Sequence, residues 1–175
     1  MTPKPIDIET FTIKPFHLWD IQSLLLTSGD FAAQKFNAMT VGWGSIGYIW
    51  RRPFIQVVVR PVRYTYEFME EFDTFSVCAF PKQYYSALQL LGTRSGRDGD
   101  KIAAAGLTPV ASTKIAAPSF AEASLVLECR KIYWDDFHPE QFLDPRIDKN
   151  YPLKDYHRIY FGEILSLFGD DNFKE

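Results

Sequence analysis

The 175-residue sequence contains no uninterrupted apolar run near the ~18 residues that a bilayer crossing needs, so no membrane span is expected. It also lacks a charge excess. Nineteen basic against 22 acidic residues leave a formal charge of -3, which gives no electrostatic footprint for nucleic acid. The N-terminus, Met1 to Asp7, is polar with two prolines and does not read as a secretory signal. Two cysteines and three scattered histidines offer no metal-ligand spacing, so no metal is expected. Cys78 and Cys129 each lie inside an apolar, strand-like run. Buried free thiols in a reducing cytoplasm are the expectation, with a disulfide left open. No repeat or low-complexity segment shows. No Ser–His–Asp, Cys–His or paired-carboxylate arrangement can be argued from spacing, an absence that suits an enzyme whose chemistry belongs to a cofactor.

What the sequence does have is aromatic side chains: 16%, with 15 Phe and 9 Tyr. They suit a β-rich core, or a site where flat rings pack. Hydrophobic residues at 46% and charged residues at 23% describe an ordinary globule, and the length suits a single domain over residues 1–175.

Along the chain, Leu24-Leu25-Leu26, the turn residues Ser28-Gly29-Asp30 and Phe36 to Gly44 read as a hairpin whose second strand is loosened by glycines. Phe54 to Arg60 is β-branched and stopped by Pro61. Thr65 reads as the cap of a helix over Tyr66 to Phe72. Thr74 to Phe80 is a strand. A helix over Lys82 to Leu91 stops at Gly92, and a short one over Lys101 to Ala105 stops at Gly106. Ser124 to Arg130 and Arg158 to Leu165 are further strands. The charged, Pro- and Asp-rich stretch from Trp134 to Tyr156 is longer than most connections, so a flap or an interface arm is expected there. Strands outnumber helices. The expected fold is mainly β, a β-barrel with helical insertions.

Three segments are chemically suggestive on residue type alone. Arg60 and Arg63 lie between a strand end and a helix start, where free N–H groups and guanidinium forks attract an anion. The same segment also reads as a Thr65 cap with both arginines in water. Ser95 to Lys101 combines small residues with Arg97 and Lys101, as an anion loop or as a solvated turn. It has neither Walker nor Rossmann spacing. Asn37 to Ser45 places Asn37, Thr40 and Trp43 along a strand, where a planar heterocycle could lie; core packing of Trp43 is the plainer alternative. A lone His157 before a strand reads more simply as structural than catalytic.

Taken together, Asn37-Ala38-Met39-Thr40-Val41-Gly42-Trp43-Gly44-Ser45 with Tyr48-Ile49-Trp50, Val59 to Phe68, Leu91 to Lys101 with Ala105 to Pro109, and Asp155 to Ile164 resemble the flavin reductase-like, FMN-binding split-barrel family, in its flavoredoxin branch. The four segments occur in the family's order, and the resemblance covers about residues 20 to 168. It implies a split β-barrel homodimer holding FMN non-covalently near the subunit interface. It further implies that Asn37, Ala38, Met39, Thr40, Val41 and Trp43 lie along the isoalloxazine and ribityl chain. Arg60, Arg63 and Thr65 match the phosphate end, and Ser95, Gly96 and Lys101 match the loop over the FMN tail. His157 matches a histidine near flavin and substrate, where an imidazole titrating near neutrality is expected. One departure is the Trp134–Tyr156 connection, longer than in compact members, so the family's name does not fix the substrate.

The function this implies is an FMN-dependent oxidoreductase of the NAD(P)H:flavin reductase type. NADH, NADPH or a redox protein is the donor, and free flavin or a redox partner the acceptor. The alternatives are a flavoredoxin-type carrier not reduced directly by nicotinamide, and a flavin-binding module without turnover.

Overall fold

The computed structural model describes residues 3–175. Seven antiparallel strands form its frame: β2 (Leu24–Asp30), β3 (Lys35–Val41), β4 (Gly44–Ile49), β5 (Arg52–Val59), β6 (Thr74–Ala79), β9 (Leu125–Asp136) and β10 (Arg158–Gly169). They pair in the order β3-β2-β6-β9-β10-β5-β4, and the short β1 (Lys4–Pro5) adds to the end of β10. A small separate pair joins β7 (Pro109–Val110) to β8 (Ser119–Phe120). The two ends of the path, β3 and β4, are neighbours in sequence. Among the described residues no ladder joins them, so the barrel is split there.

The Leu24-Leu25-Leu26 run shows why β2 reads as continuously apolar: it is covered on both faces. Leu24 and Leu26 point into the barrel with Met39, Val57, Val77, Leu127 and Tyr160. Leu25 points outward, into a second core with Ala38, Cys78, Phe80, Leu88 and Leu91. That second core lies under α2 (Tyr85–Thr93), so the helical insertions roof one side of the barrel.

Several boundaries differ from expectation, each for a local reason. The strand expected from Phe36 to Gly44 ends at Val41, and β4 begins at Gly44, which leaves Trp43 in the corner between them. The β4–β5 hairpin turns on Trp50 and Arg51, both with left-handed φ (50° and 60°), without the Asn or Gly that usually marks such a turn. Thr65 does not cap α1 (Tyr64–Glu71) but lies inside its first turn with its hydroxyl bonded to Asn37 on β3; Arg63 takes the N-cap position without a side-chain capping bond. Gly92 does not end its helix but sits within α2, where a Cβ would lie 3.2 Å from Thr40 Cβ; its smallness serves close approach to β3. The short α3 (Lys101–Ala104) is capped by the Asp100 carboxylate and stops before Gly106, whose φ is +69°.

The expected connection is shorter than it looked, because β9 carries Trp134 on to Asp136. The remaining stretch, residues 137–157, folds back on its own chain through turns at Pro139–Gln141 and Ile147–Asn150.

Candidate flavin site

One station of the site gathers where β3, α1 and the end of α2 meet. Asn37 donates from Nδ2 to Thr65 Oγ1 at 2.7 Å, and both side chains are buried. Arg63 donates to the Gly92 carbonyl at 2.6 Å. Lys101, only 6% exposed, donates from Nζ to the Leu91 and Arg94 carbonyls at 2.9 and 3.1 Å. Both cations thus complement carbonyls at the negative end of α2. Ser95 accepts from the Arg97 amide at 3.2 Å and starts the loop that Gly96 continues. A Cβ on Gly96 would come 2.2 Å from Asn37 Oδ1, so only glycine lets the loop lie against β3. Arg97 stacks over Tyr64 at 4.8 Å and pairs with Glu67.

These groups line a pocket of about 210 Å³ that includes Arg63, Thr65, Ser95, Gly96, Arg97 and Lys101. Lys101 also borders two adjoining clefts of about 350 and 500 Å³. Burial, then the charge of Arg63, lowers Lys101 to about 8. Burial, then Arg60, lowers Arg63. Cations that press on one another in a confined space are relieved by an anion, and ammonium, guanidinium and hydroxyl donors suit a phosphate. A cleft of about 540 Å³ between residues 12–22 and 170–173 shares no lining residue with this pocket. Donor chemistry, not size, selects the site.

The other station is aromatic. Trp43 is 50% exposed, and its ring lies 5.3 Å from that of His157. The Nδ1 of His157 is 2.8 Å from the Tyr151 hydroxyl. Arg60 donates to both Asp155 oxygens at 3.2 Å and to the Asn150 carbonyl at 2.8 Å, with its guanidinium 5.1 Å above the Tyr151 ring. Burial, then the Arg60 charge, outweighs Asp155 and brings His157 down to about 4. The expectation of an imidazole titrating near neutrality is therefore corrected: desolvation and a neighbouring cation keep it neutral.

Of the residues expected together, Asn37, Arg63, Thr65, Ser95, Gly96 and Lys101 converge on the first station, and Trp43 and His157 form the second. Arg60 does not line the small pocket; its guanidinium is engaged by residues 150–155. Thr40 donates to the Leu88 carbonyl under α2. The side chains of Met39 and Val41 enter the barrel and that of Ala38 the second core, so any role toward a ligand falls to their backbone. Among the described residues strand β3 pairs on one side only, with β2, so its other edge offers main-chain groups to a ligand. Cys78 and Cys129 are buried free thiols, as expected. Burial pushes Cys78 up to about 12 and Cys129 well above its usual value, which keeps both thiols inert.

Sequence reading missed Tyr151. No periodicity marks it, because an irregular segment brings it to His157.

Several solved structures share the fold. Flavoredoxin from Methanosarcina acetivorans is 24% identical, with a TM-score of 0.67 over 95% of this chain and 74% of that one. Flavoredoxin of Desulfovibrio vulgaris is 23% identical, with a TM-score of 0.67 over 95% of this chain and 77% of that one. An FMN-binding domain of a flavin reductases-like enzyme from Shewanella baltica is 18% identical, with a TM-score of 0.68 over 96% of this chain and 77% of that one. An uncharacterized protein from Archaeoglobus fulgidus is 27% identical over 159 residues, 91% of this chain and 78% of its own. Strands β2 to β10 and both stations of the site fall within residues 23–174, which match the Flavin reductase like domain, and the chain belongs to that family.

Proposed function

We propose that this chain is an FMN-dependent oxidoreductase. The observation that carries the reading is the pairing of a cationic pocket lined by Thr65, which Asn37 of β3 holds, with an aromatic, histidine-bearing station at Trp43, just past the end of that strand. Trp43 lies six residues beyond Asn37, at most about 20 Å away at ~3.3 Å per residue. That reach suits a flavin ring, its ribityl chain and one phosphate.

Arg63, Thr65, Ser95, the Gly96 backbone and Lys101 would hold the phosphate. The free edge of β3 would read the polar rim of the ring, and Trp43 with His157 would border its reacting side. Bound FMN supplies a centre that takes up a hydride and releases electrons paired or singly. The protein's share is to bind, orient and exclude water. A neutral imidazole at His157 offers a hydrogen bond without placing a positive charge beside the ring.

The electron donor in this reading is NADH or NADPH, and the acceptor a free flavin or a redox protein. A second reading, an electron carrier that nicotinamide does not reduce directly, is supported by residues 137–157, which pack Phe137 and Tyr151 against His157. We further propose a homodimer through the outer sheet face. There Trp50 (57% exposed), Phe54, Tyr133 (44% exposed) and Phe161 form one aromatic patch. Free buried thiols suit a cytoplasmic setting.

The test is a visible spectrum of the purified protein, mass spectrometry of the released chromophore, and anaerobic mixing with NADH and NADPH. FMN with rapid bleaching is expected. Slow bleaching by both nicotinamides, with fast reduction by a protein donor, selects the carrier. A colourless protein that ignores added FMN would falsify the whole reading.

A further inference from the structure

Residues 137–157 do more than cover the site. They bring a tyrosine, Tyr151, to His157. Tyr151 is 2% exposed, its ring stacks on Phe142 at 17° and meets the His157 ring edge-on at 5.4 Å, and Arg60 lies over it. Its hydroxyl has one hydrogen-bond partner among the described residues, His157 Nδ1 at 2.8 Å.

That single contact decides the direction of the bond. Burial raises the Tyr151 pKa, so the phenol keeps its proton and must place it on an acceptor. If Nδ1 were the protonated nitrogen, two hydrogens would face each other, or the phenolic proton would be left buried without an acceptor. Such an unpaired buried donor is costly. If Nδ1 is bare, it accepts the phenolic proton and both groups are satisfied.

We propose that Tyr151 is the positioning residue of His157: its O–H donates into Nδ1, which fixes the imidazole as the tautomer carrying its hydrogen on Nε2 and aims that N–H as a donor. The charged and titratable groups facing the ring are Arg60 from the end of β5, and Asp155 and Tyr151 from the 137–157 segment. Arg60 lies over Tyr151 while pairing with Asp155, so the cation that helps keep the imidazole neutral also braces the residue that orients it. The tautomer stands independently of function. What the Nε2–H acts on rests on the flavoprotein reading: a carbonyl of the flavin or of the electron donor, where a neutral donor steadies developing negative charge.

The experiment is nitrogen NMR of imidazole-labelled full-length protein, without flavin and then with FMN, on wild type and Tyr151→Phe. Wild type is expected to show one tautomer, bare at Nδ1 and protonated at Nε2, unchanged from about pH 5 to 8. Tyr151→Phe keeps the ring and its stacking but should show mixed tautomers. Reduction of its bound flavin should slow by roughly ten-fold in a single turnover, the scale of one lost hydrogen bond, with FMN affinity within about two-fold of wild type. A wild-type Nδ1–H tautomer overturns the proposal whatever the variant does. So does a Tyr151→Phe protein whose tautomer and reduction rate are unchanged. If the tautomer behaves as expected but no flavin binds, the positioning role stands and the flavoprotein reading falls.

Discussion

The Lys101 ammonium lies 2.9 Å from the Leu91 carbonyl, so the loop that begins at Ser95 is tied to the end of α2 by the cation expected to meet a phosphate. Burial and Arg63 bring that cation to about 8, within the working pH range. Above about pH 8 the free protein carries a neutral Lys101, and phosphate binding must then take up a proton. FMN affinity is therefore expected to fall as pH rises from about 8, approaching ten-fold per pH unit for one proton, while riboflavin affinity stays level. Lys101→Ala should weaken FMN by about ten- to a hundred-fold, the scale of one charge-assisted hydrogen bond of roughly 1.5–3 kcal/mol, and abolish the slope. Titrations of both flavins at pH 7, 8 and 9 check this. Parallel losses for the two ligands would place Lys101 away from the phosphate.

Arg60 should behave differently from Lys101, although both sit in segments that resemble the family's phosphate end. Its guanidinium is engaged by Asp155, whose side chain is nearly buried, and by the Asn150 carbonyl. Arg60→Ala leaves that carboxylate without its partner, at a cost of about 1–3 kcal/mol. The variant is expected to melt lower and to weaken FMN and riboflavin alike, because it loosens the 137–157 segment. Selective loss of FMN alone would show instead that Arg60 swings to the phosphate.

These contrasts also show what was legible beforehand. Phe54 to Arg60 reads as a strand because β-branched residues stop at a proline, and the structure has β5 there. That Arg63, Ser95 and Lys101 attract attention as donors is readable because they lie near helix ends, where chain chemistry is local. Thr65 is not readable: a threonine before a helix looks like a cap, but its hydroxyl is taken by Asn37, 28 residues away. The β4–β5 turn is not readable either, since Trp50 and Arg51 adopt left-handed φ without the usual residue types. Tyr151 belongs with these, placed by tertiary packing rather than by any pattern along the chain.

The left-handed φ of Trp50 provides a clean test of assembly. Aspartate tolerates that conformation better than tryptophan, so Trp50→Asp should not strain the turn. It does place a charge amid Phe54, Tyr133 and Phe161. If this patch is the dimer face, light scattering should change from two chains to the mass of one 20.2 kDa chain. A variant that stays dimeric moves the interface elsewhere, and a monomeric wild type removes it.

His157 makes the last prediction, on stability in mild acid. In the unfolded chain a histidine takes up its proton near pH 6.5, whereas burial and Arg60 delay this in the folded protein to about 4. Between those values the unfolded state binds more protons, so unfolding is favoured as pH falls. The stability associated with a neutral His157 is complete above about pH 6.5 and is lost progressively toward about pH 4. The ring is only partly buried, so solvent screening reduces the effect to on the order of 1 kcal/mol, or about 2–4 °C in Tm. His157→Asn removes the titrating group. Melting curves at pH 7, 6 and 5 should therefore show wild type losing more Tm than the variant over this interval. The rate of flavin reduction by wild type should show no inflection near pH 6.5, because the imidazole is already neutral there. Equal acid sensitivity in both proteins, or a rate inflection that disappears with the imidazole, would mean that His157 is solvated enough to titrate normally.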